Sequence, residues 1–90
     1  MMVTHTTVVR AVRGRSEQLG QCLHTLQEPM QQMVGCLGFE VAQVKEDPAV
    51  WQLQGRWQSD AALHDFFAAP RLQQVFDQAI RHCLLASVEC

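Results

Sequence analysis

Ninety residues with a net charge of −2 and 18% charged side chains suit one domain, residues 1–90, and leave no room for a second core. That charge excludes the basic stripe that neutralises nucleic-acid phosphates, and no stretch approaches the roughly 20 apolar residues that cross a bilayer. The chain does not open with a basic region followed by an apolar run, so the expected location is cytoplasmic, with no membrane partner.

Met2 to Val12 reads as a strand, rich in Thr and Val, residues that suit a pleated surface. Val3, His5, Thr7, Val9 and Ala11 share one face; Thr4, Thr6, Val8, Arg10 and Val12 share the other. Gly14 marks a turn, and Arg10, Arg13 and Arg15 read as its solvated charges. From Ser16 the period changes to that of a helix. Leu19, Cys22, Leu23, Leu26, Met30 and Met33 form one apolar stripe, with Ser16 as the expected N-cap. Pro29 removes an amide and predicts a kink or break near Gln27–Glu28.

Gly35 ends that segment. Cys36 to Val44 alternates again, with Leu37, Phe39 and Val41 on one face. Lys45-Glu46-Asp47-Pro48 predicts a turn. Val50 to Gln58 is a third strand, with Trp51, Leu53, Gly55 and Trp57 facing one way, close enough to the second to form an antiparallel hairpin. Ser59 caps a helix reaching Ala68, striped by Ala62, Leu63, Phe66 and Phe67. Pro70 opens another, striped by Leu72, Val75, Phe76, Ala79 and Ile80. Cys83 to Cys90 completes the pattern as a fourth strand.

The order β-α-β-β-α-α-β predicts a two-layer α+β sandwich, its helices covering one side of a four-stranded antiparallel sheet. The bare side carries Val8, Val12, Ala42, Val44, Val50 and Leu85 among Gln and Thr residues. It is too apolar to be wholly wet and too polar for a sealed core, so a homodimer packed sheet to sheet is expected. A domain this small buries only about 60% of its unfolded surface, which leaves burial for a partner to supply. Cys22, Cys36, Cys83 and Cys90 show no CxxC pair and no cluster with histidine, so reduced, mostly buried thiols and no metal site are expected.

Several segments together resemble one family. Val8-Val9-Arg10, Gly14-Arg15 and Gly35-Cys36-Leu37-Gly38-Phe39-Glu40 match its first half. Asp47-Pro48, Arg56-Trp57-Gln58-Ser59, Ala61-Ala62-Leu63 and Ala69-Pro70 match its second. The order and spacing resemble the antibiotic biosynthesis monooxygenase family across nearly the whole chain. The resemblance implies a ferredoxin-like fold forming a dimeric α+β barrel, with a cavity between sheet and helices in each protomer. It also implies a small-molecule ligand; some family members oxygenate polyphenols or quinols with no cofactor.

By strand parity that cavity is lined by His5, Thr7, Trp51, Leu53, Gly55 and Trp57, with His64 and Phe67 from the helix. Trp57 matches the family tryptophan, offering a flat apolar wall and one N–H donor, or else plugging the core. His64 and His5 are the candidate catalytic groups, since imidazole can take a proton from a phenol near neutral pH. Each could equally be a solvated or strand-end histidine. Departures from the family are specific. Its helix histidine falls at Phe66, a second at Arg71, a glutamate at Gly55 and an asparagine at Leu53. Haem-degrading relatives carry an asparagine and a histidine where this chain has Thr7 and Phe66 or Phe67. The expectation is therefore a cofactor-independent monooxygenase for a small aromatic or quinol metabolite. The alternatives are a non-catalytic ligand-binding or regulatory protein, or a small-carbonyl isomerase or decarboxylase.

Overall fold

A computed structural model describes residues 2–89. In chain order the elements are β1 (Val3–Ala11), α1 (Ser16–His24), α2 (Gln27–Gln31), β2 (Cys36–Gln43), β3 (Val50–Trp57), α3 (Asp60–Phe67), α4 (Pro70–Arg81) and β4 (Leu85–Glu89). Cys90, the expected end of the fourth strand, lies outside the described residues. The four strands form one antiparallel sheet in the order β2-β3-β1-β4.

The expected barrel is overturned by that order. β2 and β4 are the two edges and do not pair with each other, so the sheet is open. About eight strands give a barrel interior just wide enough for side chains to fill, and these four strands end in two free edges.

Strand alternation places the core as expected. Val9, Leu53 and Trp57 are fully buried or nearly so beneath the helices, while Thr4, Arg10, Gln54 and Arg56 are exposed on the other face. Leu19, Leu23, Leu26 and Met30 close the core from α1 and α2. Two bulges disturb the alternation. One, between Cys36 and Gly38, turns Leu37 out to 54% exposure. The other, between Arg10 and Ala11, brings Leu85 against the core instead of onto the bare face. An inserted residue breaks the two-residue period that parity relies on. Ile80, expected in the α4 stripe, is 61% exposed, and Cys83 is exposed rather than buried.

The first helical segment divides earlier than Gln27–Glu28. The Thr25 N–H and hydroxyl both bond back to the Cys22 carbonyl, and α2 begins two residues later. A proline ring collides with the carbonyl four residues before it, which for Pro29 is that of Thr25. The chain breaks there, leaving Pro29 in the first turn of α2, where no amide partner is needed.

Ser16 is not the N-cap of α1; Arg15 holds that position without a side-chain bond. The Ser16 hydroxyl instead donates to the Pro48 carbonyl and accepts from the Trp51 indole N–H at 3.0 Å. It ties the start of α1 to the turn before β3. Ser59 does cap α3, its Oγ accepting from the Ala62 N–H at 3.2 Å. In the β2–β3 turn, Asp47 accepts from the Ala49 N–H at 3.1 Å and from Arg10 at 3.0 Å. The backbone bond, then the Arg10 bond and charge, hold its carboxyl below the ordinary value.

Candidate functional site

The register of the two inner strands assembles the site. Across the β1–β3 ladder, Val3 faces Trp57, His5 faces Gly55 and Thr7 faces Leu53. On the other side of β3, Phe39 faces Gly55. Opposed side chains on one face lie about 5 Å apart, so these residues form one patch beneath α3. Phe66 comes down from α3 onto Trp57 with ring centroids 5.0 Å apart, and onto Phe39 at 5.7 Å. Phe67 meets the His5 ring edge to face at 4.9 Å and 89°.

Two polar features stand out in this apolar patch. Thr7 is the one buried polar residue among the described residues, and its Oγ1 lies 3.4 Å from His5 Nδ1. That is the long end of hydrogen-bond range. The second is the Trp57 indole. The side chain is 0% exposed, and its Nε1 has no acceptor among the described residues. A buried donor left unpaired costs about 1–3 kcal/mol, so its persistence needs a reason.

The sequence-expected residues divide accordingly. The structure brings together His5, Thr7, Leu53, Trp57 and Phe67. It does not bring Trp51 to them. Trp51 faces Val9, six residues along the strand from Trp57, which is roughly 20 Å at strand rise. Its indole is satisfied by Ser16, packs over Gly20 and meets His24 edge to face at 5.7 Å. Trp51 closes the far end of the core. His64 is exposed on α3, whereas His5 is half-buried within the cluster. Phe66 and Phe39, which complete the aromatic shell, were legible only as core-stripe residues.

The space between sheet and α3 is occupied by these rings. None of the three described depressions is lined by His5, Thr7, Leu53 or Trp57. The largest, about 710 Å³, lies on the bare sheet side against Thr4, Gly38, Glu40, Gln54 and Arg56. Among the described residues no group of three or more His, Cys, Asp or Glu could hold a metal ion.

The family model for antibiotic biosynthesis monooxygenases matches residues 2–78. The chain belongs to that family. Solved structures with the same fold include PA3566 from Pseudomonas aeruginosa, 24% identical with TM-score 0.85, covering 98% of this chain and 86% of its own. A candidate antibiotic biosynthesis monooxygenase from Deinococcus radiodurans is 21% identical with TM-score 0.86, over 99% and 86% of the two chains. SO0527 from Shewanella oneidensis is 19% identical with TM-score 0.89, over 98% and 84%. No curated protein matches the chain. At these identities the structural likeness speaks to fold, and membership links this antibiotic biosynthesis monooxygenase relative to oxidoreductase chemistry at the level of the family. No helix among the described residues is long and apolar enough to cross a membrane.

Proposed function

We propose that this protein binds a small quinol-type aromatic beneath α3 and oxygenates it with molecular oxygen and no cofactor. The observation that carries the reading is the buried Trp57 N–H without an acceptor, set among aromatic rings and beside the His5–Thr7 pair. A planar ligand entering this cluster would displace Phe67, stack against Trp57 and give its oxygen to the orphaned donor. Leu53 and Thr7 would form the floor of the same seat.

Imidazole at His5 would take the phenolic proton, producing an electron-rich anion. The exposed His64 is the second candidate for this role. The quinol and dioxygen then give a hydroxyquinone and water: one oxygen atom enters the ring, and the other leaves with two hydrogens. The quinol supplies the electrons, so no external reductant is needed. The protein contributes position and a dry site.

Oxygen uptake with 1,4-dihydroxynaphthalene, corrected for spontaneous oxidation, tests this. Uptake should exceed the protein-free rate and fall about 10²–10⁴-fold in His5→Ala if that residue is the base. No enhancement with any hydroquinone removes the oxygenase. Unchanged rates in His5→Ala and His64→Ala remove both histidines from the chemistry.

The apolar Leu53 and the absence of any buried carboxylate among the described residues favour a second reading, a binding protein that sequesters the aromatic without turnover. Ligand-induced thermal stabilisation with no product would support it. In either case we propose a homodimer through the bare sheet face. A cytoplasmic location suits the free thiols of Cys22, Cys36 and Cys83.

A further inference from the structure

We infer that Gly55 is the specificity-determining residue of this site, because its missing side chain forces the acceptor for Trp57 to arrive with the ligand. This rests on the proposal that the cluster beneath α3 is where the ligand binds. A Cβ at position 55 would stand 2.6 Å from Trp57 Nε1 and 3.0 Å from Cε2. The indole therefore lies against the strand backbone at Gly55, and its polar edge occupies the place that a side chain would fill. On both flanks the neighbours at this level are His5 and Phe39.

Phe39 has no acceptor. His5 lies beside Thr7 at 3.4 Å through Nδ1, and Trp57 Nε1 bonds to neither. Because Thr7 is the only buried polar residue described, no carboxylate or amide inside the core can serve instead. A longer polar residue at 55 would satisfy the donor from within, or push it aside. Glycine does neither.

The ligand class follows from that arrangement. An oxygen acceptor on a flat apolar body, such as a quinone carbonyl or phenolate, gains a bond that an oxygen-free aromatic of the same shape cannot. No buried carboxylate repels an anionic oxygen there, and protonated His5 can attract one. Discrimination by a buried polar group is greatest when the wrong ligand would leave that group unpaired.

The test titrates ¹⁵N-labelled protein with 1,4-naphthoquinone and, separately, with naphthalene, which has the same rings and no oxygen. The Trp51→Phe variant assigns the Trp57 indole resonance. The quinone should move that resonance downfield and bind at least about tenfold tighter than naphthalene. In Gly55→Glu, where the chain carries its own acceptor, and in Gly55→Ala, where the indole is displaced, the preference should fall to about twofold or less. Should one variant fail to fold, the other carries the comparison.

Equal affinity for both probes, with Trp57 and His5 resonances responding to each, would overturn the role of Gly55 while leaving the binding site in place. A tenfold preference that survives both Gly55 substitutions would overturn it as well. If neither probe moves the Trp57 or His5 resonances, the site itself is elsewhere and the inference falls with it.

Discussion

Helix propensity alone says that Gly20→Ala, in the middle of α1, should stabilise the protein by about 1 kcal/mol. Packing says the opposite. A Cβ at Gly20 would stand 2.3 Å from Trp51 Cζ2 and 2.4 Å from Cη2, and this ring is held by its N–H bond to Ser16. Overpacking of this kind typically costs about 1–3 kcal/mol, and a shift of the ring would disturb its bond to Ser16 and its contact with His24. Gly20→Ala is therefore expected to be destabilising by about 1–2 kcal/mol, seen as a lower midpoint in urea unfolding. A raised midpoint would show that Trp51 moves freely and that propensity prevails. The two tryptophans thus reach similar burial by the same device, an adjacent glycine, and differ in one respect: Trp51 has its acceptor and Trp57 does not. Parity put both on the covered face, but it carries no information about which indole finds a partner. That depended on Ser16 leaving its expected capping role, a contact 35 residues away in sequence.

The strands, and the helices that follow β3, were legible because each has a strong local signal: β-branched alternation in β1, Ser59 before α3, Pro70 at the first position of α4. Errors concentrated where one residue breaks a period, at the two bulges that misplaced Leu37 and Leu85, and at Thr25, where a proline four residues downstream fixes the break. The turn before β3 was also legible, and its Asp47 yields a pH prediction. Its carboxyl is held below the ordinary value by the Ala49 N–H and by Arg10. A carboxyl depressed on folding adds stability above its unfolded value, about pH 4, and loses that increment as pH falls through the folded value. Asp47→Asn should therefore flatten the acid side of the stability profile, below about pH 4, relative to the unmodified protein. The group is solvent-exposed, so the effect should be small and should diminish in high salt. Melting temperatures collected from pH 2 to 6 would show it; identical slopes for both proteins would mean that Asp47 is not depressed in solution.

Across the whole molecule, the same covering helices that bury Trp57 leave the reverse of the sheet with Val8, Ala42 and Gln52 among exposed Thr4, Gln54 and Arg56. The β4 edge is exposed from Ala86 to Glu89. A small domain gains little from its own core, and in the proposed homodimer this face would be covered by its own copy. Val8 pairs with Gln52 across the two inner strands, on the half-buried middle of that face, where the two copies of the proposed homodimer would meet. Val8→Lys would set two ammonium groups against each other in a desolvated interface, while leaving the covered face untouched. The dissociation constant of the proposed dimer, measured by sedimentation velocity, should rise by about tenfold or more, and the concentration dependence of the thermal mid-point expected of the unmodified protein should weaken as the variant dissociates. Arg10→Lys, exposed on the same face and already cationic, should leave association unchanged. A protein that sediments as a monomer at all working concentrations, with or without Val8→Lys, would mean that this face is finished as it stands, wet and unpartnered.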